Sequence, residues 1–456
     1  MDFMTTPGFK EEGWTEPGVN YLAYTIALTV VVYLWETLLD VKQHARFASK
    51  KPPSSLVAAL ERCDQQSPSE HGSMLERVLS KFPASQAYSK DKSSFGLLSS
   101  GFFTLQNLAQ IGLGFYPYLW VYSLRLGKKF GWEEDAEIKI SLLWSALSML
   151  LGTVISLPFS MYSAFVIEER HGFNKQTLGL FLTDKVKQII LSFLIGGPIL
   201  ALVLKLMEWG GKTFYIYVGA FLFVVSIVMI TIYPVLIAPL FNEYTPLEEG
   251  ELKKSIEELA SKVGFPLKKL FVVDGSKRSN HSNAYMYGFG NNKRIVLFDS
   301  LVSQATVPEI VAILGHEIGH WKLSHTLQGL FITQVYIFVA LYSYGVLMEG
   351  NNDVFLSFGF VSQPRIVGLT LFFATIWAPV DHLLNFLMTL LSRHNEFSAD
   401  AFAKKLGFAA ELKRALTKLQ VENLSVMDPD PLYSAYHYSH PPLVERLGAL
   451  ESSKED

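Results

Sequence analysis

Seven long apolar runs separate the polar parts of this chain, and they restrict its possible folds more than any other feature. A helix that crosses a bilayer needs roughly 20 mostly apolar residues. The runs lie at residues 20–39, 96–123, 138–163, 187–207, 214–240, 327–348 and 367–391. One such run could equally be a buried helix of a soluble protein, but seven in one chain favour spans. We therefore predict a mostly α-helical, polytopic membrane protein with seven transmembrane helices.

The composition agrees with this prediction and limits the chemistry. Charged residues form 18% of the chain, whereas roughly 25% is usual for soluble domains. The formal net charge of −3 gives no indication of nucleic-acid binding. Cys63 is the only cysteine, so an internal disulfide and a cluster of thiolate metal ligands are both excluded. A metal site would have to use nitrogen and oxygen ligands.

The polar stretches divide the chain into four regions. Residues 1–241 contain five spans and a polar loop at 40–95, and residues 242–326 form an insert that should fold. Residues 327–392 contain two further spans, and residues 393–456 form a polar tail. The N-terminus has no basic segment before an apolar core, so we expect no cleaved signal peptide.

The insert combines helix and strand patterns. Residues 247–265 have helical periodicity, with Glu and Lys on the outer face. Residues 268–276 and 293–301 have the composition of strands. Residues 282–292, between them, alternate in type and end in a Gly-Asn turn signal, which is typical of a hairpin. The sequence therefore predicts a small β-sheet packed with helices.

The insert ends in a predicted helix that contains the sequence GHEIGH at residues 315–320. Thr306 is suited to the N-cap and Glu309 to the reciprocal position of a capping box. We expect this helix to continue through "IVAILGHEIGHWKLSH", residues 310–325.

Two histidines on this helix have the spacing of metal ligands. His316 and His320 are four residues apart, so both rings project from one face and can bind one tetrahedral ion at about 2 Å. Glu317 lies about 100° further round the helix, where a carboxylate can act as general base toward an attacking water. His325 is off this spacing, and we assign it to the helix end or an interface.

A catalytic zinc ion needs a third protein ligand and one open position. Glu396 in "RHNEFSAD" is the candidate, and Asp400 lies four residues further on the same helical face. Asp400 could accept a ring N–H from a liganding histidine. A solvated helix face is the alternative for this pair. Two spans separate His320 from Glu396, however, and a two-span hairpin returns the chain to the same side of the membrane.

Basic residues indicate which side that is. Lys42, Arg46, Lys185, Lys187 and Arg393 flank predicted span ends that face the same side as the insert and the tail. Short flanking segments rich in Lys and Arg usually stay in the cytosol. We therefore expect the metal site and the C-terminus to be cytosolic and the N-terminus to lie on the opposite side.

Six blocks of sequence together resemble one family, and they extend from the membrane region to residue 447. They are "EERHGFNKQT", "YPVLIAPLFNEYTPL", "SNAYMYGF", "HEIGHW", "NEFSAD" and "SHPPLVERL". This set is similar to the type 1 CAAX prenyl proteases, the Ste24-like zinc enzymes of the endoplasmic reticulum and inner nuclear membrane. The HExxH motif alone is moderately specific, whereas the six blocks in this order are highly specific.

The resemblance implies both an architecture and an activity. The fold would be seven long helices around a water-filled chamber that a zinc domain caps. The activity would be removal of the C-terminal tripeptide from proteins whose CAAX cysteine carries a prenyl group, for example a farnesyl group. Some members of the family make a second, upstream cut. The cofactor would be a single Zn²⁺ ion, the partners would be prenylated substrates and the bilayer, and no nucleic acid is involved.

The resemblance also assigns roles to residues. His316, His320 and Glu396 correspond to zinc ligands and Glu317 to the general base, while Asp400 corresponds to the carboxylate behind a ligand. The stretch at 283–289 is similar to a strand edge that holds an extended substrate, and the Asn283 side-chain amide would contact the scissile peptide. An ordinary hairpin is the alternative.

The block "SHPPLVERL" supplies two more candidates. His440 and Arg446 could stabilise the developing oxyanion, or Arg446 could pair with an acidic residue behind the ligands. The alternative is a tail that only packs. For "EERHGFNKQT" the sequence gives no chemistry.

Three other functions remain open at this point. A zinc protease that degrades misfolded membrane proteins would use the same metal site without any prenyl preference. A transporter or channel with a structural zinc would normally use four protein ligands and need no glutamate beside a ligand. An inactive scaffold is disfavoured because every expected catalytic residue is present.

Overall fold

The protein is described by a computed structural model that covers residues 6–66, 72–133, 135–288 and 290–451. Phe289, at the end of the predicted substrate edge, and parts of the loop 40–95 and of the two terminal regions lie outside the described residues. The described residues form a mostly helical fold with one four-stranded sheet.

The first half of the chain is helical from near its start. Its helices are α1 (Tyr21–Arg46), α2 (Ser54–Gln66), α3 (Met74–Gly112), α4 (Phe115–Lys129), α5 (Glu137–Tyr162), α6 (Leu178–Leu191), α7 (Gly197–Gly210) and α8 (Phe214–Ile232). Short π-helical turns continue α5, α6 and α8 at Ser163–Glu168, Ser192–Gly196 and Tyr233–Ile237.

The second half contains the sheet and the remaining helices. These elements are β1 (Tyr244–Pro246), α9 (Glu251–Val263), β2 (Leu267–Val273), β3 (Ala284–Tyr287), β4 (Lys293–Phe298), α10 (Asp299–Gln304), α11 (Val307–Lys322), α12 (His325–Met348), α13 (Asn352–Ser357), α14 (Arg365–Ala374), α15 (Ala378–Lys405), α16 (Ala409–Glu422), α17 (Pro431–His437) and α18 (Leu443–Glu451).

The predicted spans lie mostly in helices, but their lengths and continuity differ from the prediction. Among the described residues, four helical stretches are long and apolar enough to cross a membrane, or five if α14 and α15, bent by 59°, form one span. One of the four, Leu178–Leu240, has 63 residues and would measure roughly 95 Å as a straight helix. Gly211 interrupts it with a φ of +50°, and α7 packs against α8. This stretch therefore folds back on itself, and the count of seven spans remains a prediction.

The predicted span at 96–123 is not continuous, which corrects the sequence analysis. Helix α3 ends at Gly112 and α4 begins at Phe115. Gly114 between them has a left-handed φ of +70°, and a Cβ there would lie 2.5 Å from the carbonyl oxygen of Phe9. The N-terminal segment thus packs directly against the break, and only glycine fits there.

The sheet has the strand order β1-β2-β4-β3. Strands β2 and β4 are parallel, and the other neighbouring pairs are antiparallel. The predicted hairpin is confirmed, because β3 and β4 pair antiparallel across the Gly-Asn turn. Strand β3 lies at one edge of the sheet and packs against α11. The hydrophobic core between the sheet, α9 and α11 includes Ile256, Ile295, Leu297 and Ile318.

Helix α11 begins as predicted but ends earlier. The Thr306–Glu309 capping box is present, and Thr306 N donates to Glu309 Oε2 at 2.8 Å. The expected continuation to residue 325 is wrong, because α11 ends at Lys322 and Ser324 adopts a left-handed φ of +60°. His325 is instead the first residue of α12.

Candidate metal centre

Three side chains from two helices of the second half of the chain lie close together. His316 and His320 extend from α11, and Glu396 extends from α15, which packs against it. One ligand atom from each residue lies within 4.8 Å of the others. The two helices approach closely at Gly319, where a Cβ would lie 3.2 Å from the Cα of Ala399.

The separations of the donor atoms fit one tetrahedral ion. The Nε2 atoms of His316 and His320 are 3.1 Å apart, and they lie 3.4 Å and 3.3 Å from the nearer carboxylate oxygens of Glu396. Bonds of about 2.0–2.1 Å at tetrahedral angles place two donors about 3.3 Å apart. Two imidazoles and one carboxylate also form a donor set that a catalytic zinc ion accepts.

The surroundings of His316 favour a positive charge at this point. Burial lowers the pKa of His316, but the contacts with Asp400 and Glu396 outweigh it and raise the pKa to about 9. A pocket that stabilises a protonated ring in this way also stabilises a bound cation.

Glu317 points away from the face that the two histidines share and is partly buried. Burial raises its pKa above the usual value, while the positive charge of His316 and His320 lowers it. A carboxyl group with a raised pKa accepts a proton more readily, which suits a general base.

Asp400 and Arg446 lie behind His316, on the side of its ring that faces away from the cluster. Asp400 Oδ1 is 2.8 Å from His316 Nδ1, the ring nitrogen that faces away from the ligand cluster. Arg446 binds the same carboxylate with two hydrogen bonds of 2.8 Å and 2.6 Å. Its guanidinium is buried and lies 3.6 Å from Glu396 Oε2. Of the two roles considered for Arg446, this position favours pairing with Asp400 over contact with a substrate.

The contact of His325 with the cluster was not indicated by the sequence. The Nδ1 of His325 lies 2.9 Å from Nδ1 of His320, the nitrogen that faces away from the ligand cluster. Helical spacing placed His325 on another face, because the prediction assumed an uninterrupted helix. The left-handed residue Ser324 turns the chain and brings the ring back. Ser324 gives no clear turn signal in the sequence, so the contact could not be foreseen.

His440 reaches the cluster from the loop between α17 and α18. Its Nδ1 is 2.9 Å from Glu396 Oε2, and 67% of its side chain is exposed. It therefore stands at the open side of the site, where an incoming ligand has access.

Asn283 precedes the free edge strand. Its side chain is exposed, and its Oδ1 accepts a hydrogen bond from Ala284 N at 2.8 Å. Its carbonyl oxygen accepts from Phe298 N at 3.0 Å, so the residue is fixed against β4. Among the described residues, no strand pairs with the outer edge of β3.

The "EERHGFNKQT" segment, which the sequence left unexplained, supports the residues before this strand. Asn174 and Ser279 form an isolated antiparallel bridge. The Phe173 ring stacks on the His281 ring with centroids 4.1 Å apart. Tyr88 donates to Glu168 Oε1 at 2.7 Å. The segment thus connects the end of α5 and its π-helical extension to the start of β3.

Two family models together match nearly the whole chain. Residues 60–243 match the CAAX prenyl protease N-terminal region, which is described as five membrane helices. Residues 246–454 match peptidase family M48. The second match contains the HEIGH motif, Glu396, and Arg446, which pairs with Asp400.

Individual relatives are similar over almost their full length. CAAX prenyl protease 1 homologs from Oryza sativa and Homo sapiens are 47% and 40% identical, and the alignments cover 95% and 97% of this chain and 98% of each relative. The crystal structure of S. mikatae Ste24p superposes with a TM-score of 0.86 at 40% identity, covering 96% of this chain and 100% of that chain. The chain is therefore a membrane metalloprotease and belongs to the type 1 CAAX prenyl proteases of peptidase family M48.

Proposed function

We propose that this protein is a zinc-dependent endopeptidase that removes the C-terminal tripeptide from prenylated CAAX proteins and can make a second, upstream cut. The observation that carries this proposal is the convergence of His316, His320 and Glu396, with Glu317 beside them, next to a free strand edge. The names of the relatives supply the substrate class.

The bound zinc and Glu317 would have separate roles in the hydrolysis. Zinc bound here would polarise the scissile carbonyl and lower the pKa of a water molecule. As the oxygen of that water molecule forms a bond to the carbonyl carbon, Glu317 takes a proton from the water. The carbon–nitrogen bond then breaks, and Glu317 passes the proton to the departing amine nitrogen.

Three further residues orient or complete the site. Asp400 accepts the Nδ1–H of His316 and so fixes the tautomer that leaves Nε2 free as a ligand. Arg446 balances the charge of Asp400. His440, at the open side, donates a hydrogen bond to the carbonyl oxygen as it becomes negative.

The edge of β3 would hold the peptide in an extended form. A peptide gains main-chain hydrogen bonds when it adds to an exposed strand, and this arrangement places its backbone beside α11. Asn283, at the beginning of the strand, would offer its side-chain amide to the peptide group that is cleaved.

The same proposal includes location and domain arrangement. The spans of residues 1–241 and 327–392 would enclose a chamber in the membrane of the endoplasmic reticulum or the inner nuclear membrane. The insert at 242–326 and the tail at 393–456 would close the chamber on the cytosolic side.

Hydrolysis of a farnesylated CAAX peptide tests the function. We expect the purified wild type in detergent to cleave at the prenyl-cysteine bond, and a chelator to abolish cleavage. Glu317→Gln should retain zinc and lose at least about 10²-fold in kcat, which is the lower range for a missing general base. Failure of the zinc-loaded wild type to cleave this peptide, together with cleavage of unprenylated membrane substrates, would replace the CAAX assignment with a quality-control protease. Full transport activity in Glu317→Gln would indicate a transporter.

A further inference from the structure

A cavity of about 480 Å³ opens beside the start of β3 and has no role in the mechanism above. It lies between the C-terminal part of α1, the middle of α3 and the loop around α17. Its wall includes Tyr88, Lys92, His281, Asn423, Tyr433 and Tyr438. The volume falls within the usual range for small-ligand pockets.

Two segments connect this cavity to the catalytic residues. His281 is two residues before Asn283, and Tyr438 is two residues before His440. Two residues of chain span at most about 7 Å. The cavity therefore begins close to both the strand edge and the open side of the metal site.

Strand direction decides which part of a substrate would enter the cavity. A peptide that pairs antiparallel with β3 runs from the Tyr287 end toward the Ala284 end. Its residues after the cleaved bond then lie beside Asn283 and continue toward His281. A released tripeptide extends about 10 Å beyond the cleaved bond, which leads its free carboxylate into the cavity.

Lys92 provides a cation in this cavity. Its Nζ donates to Tyr88 OH at 3.2 Å and lies 4.8 Å from the centroid of the Tyr88 ring. The nearest carboxylate oxygen, Glu168 Oε1, is 3.9 Å away. An ammonium group carries three donors, and 53% of the Lys92 side chain is exposed, so donors remain for a ligand. Asp40 also lines the cavity, on the opposite helix α1.

The backbone around His281 is fixed, so the cavity is a formed site. His281 stacks on Phe173, and Ser282 N donates to Asn423 Oδ1 at 3.0 Å. Arg278 binds Asp184 of α6 through two nitrogens at 2.9 Å and 3.1 Å. The segment before β3 is thereby attached to the loop that precedes α6, to α6 itself and to Asn423, which directly follows α16.

We propose that this cavity is the subsite for the C-terminal tripeptide and that Lys92 binds its free carboxylate. This inference rests on the proposed function, because only a substrate that ends three residues after the cleaved bond presents a carboxylate there. In the removal of the tripeptide, the enzyme would thus measure the distance from the scissile bond to the end of the chain, whereas the upstream cut would not use this contact.

The test compares two farnesylated CAAX peptides, one with a free C-terminal acid and one with a C-terminal amide. We expect the wild type to prefer the acid by about tenfold in kcat/KM, which is typical of one charge-assisted hydrogen bond. The difference should appear mainly in KM, because the contact persists from the bound state to the transition state. Lys92→Met should lose the preference for the acid, so that its ratio of kcat/KM for acid and amide falls to about one.

Matched variants separate binding from a structural effect. Lys90→Met, at an exposed position on the same helix that does not line the cavity, should keep the full preference. Lys92→Arg should also keep it, because the charge remains. Bound zinc, measured in every variant, should be unchanged.

Each other outcome counts against the inference in its own way. Equal turnover of acid and amide by the wild type overturns the subsite. A Lys92→Met variant that slows both peptides equally, or that keeps the preference, overturns the role of Lys92. Failure of the zinc-loaded wild type to cleave either peptide is a failure of the proposed function itself.

Discussion

Single side chains decide how the two histidines of the HEIGH motif can serve as ligands. Each ring has one nitrogen at the cluster and a second nitrogen that faces a neighbour. His316 faces the carboxylate of Asp400, whereas His320 faces the imidazole of His325. The two proposed ligands on one helix thus have chemically different partners.

The contact between His320 and His325 leads to a prediction about metal retention. We expect His325→Leu to lose zinc to a chelator about tenfold faster than wild type, because partners behind metal ligands typically contribute 10–100-fold to affinity. His325→Gln, which can still accept a hydrogen bond, should lie closer to wild type. The measurement is zinc remaining on the protein over time in excess chelator, which does not depend on peptide turnover. Equal loss from all three proteins would contradict the prediction.

The sequence identified side chains on a common helix better than contacts across loops. The pairs His316–His320 and Glu396–Asp400 follow from four-residue spacing, which holds wherever the helix is continuous. For Arg446 the sequence left two roles open, stabilisation of the oxyanion or pairing with an acidic residue. The sequence could not decide between them, because α18 and α15 meet through tertiary packing. His325 was missed because one left-handed residue redirected its ring.

At the scale of elements, the site depends on how closely α11 and α15 approach each other. Gly319 faces the backbone of Ala399, and no larger residue fits without a shift. Because α11 carries two of the proposed ligands and α15 the third, a change in this distance would change the geometry of the proposed ligand set.

Gly319→Ala should therefore weaken the metal site. A Cβ at 3.2 Å from the Ala399 backbone forces the helices apart by a few tenths of an ångström, at a cost of about 1–3 kcal/mol. We expect a lower apparent unfolding temperature and less bound zinc. Gly329→Ala on α12, where a Cβ meets nothing within 4 Å, is the control. A Gly319→Ala protein with wild-type zinc content and unfolding temperature would show that the contact is not limiting.

A buried ion pair joins the beginning of α11 to α16 and makes stability depend on pH. Burial alone would raise the pKa of Glu309, but the hydrogen bonds from Lys418 and Thr306 outweigh it and hold the pKa below its usual value near 4.5. A carboxyl group with a lowered pKa stabilises the fold above its unfolded pKa. This stabilisation is lost as the pH falls below about 4.5.

Removal of one partner tests the pair. At pH 7 we expect Glu309→Gln to cost about 3 kcal/mol, because Lys418 remains buried without its counter-charge. The difference in apparent unfolding temperature between variant and wild type should narrow as the pH decreases below 4.5. A difference that is constant between pH 7 and pH 4 would argue against an ionised Glu309 in the fold.

The hairpin and the capping box were predictable because local sequence determines both. The break at Gly114 was not, because it depends on Phe9, more than a hundred residues earlier in the chain. The early end of α11 was not predictable either, because the left-handed residue after a helix is usually Gly or Asn, whereas here it is Ser324.

For the whole molecule, the main prediction concerns orientation. Lys42, Arg46 and Arg393 flank predicted span ends on the side that is predicted to carry the metal site, and such residues favour the cytosol. We expect a glycosylation site added at the N-terminus to be modified in microsomes and one added at the C-terminus to remain unmodified. A glycosylated C-terminal tag would place the active site in the lumen.

The order of the ligands along the chain has a consequence for how the enzyme is made. His316 and His320 emerge before α12 and α14, and Glu396 only after them. A nascent or truncated chain that ends before residue 396 lacks a complete ligand set, whatever it has already inserted into the bilayer. With the proposed ligand set, proteolytic activity would therefore require that synthesis has passed residue 396 and that α15 packs against α11.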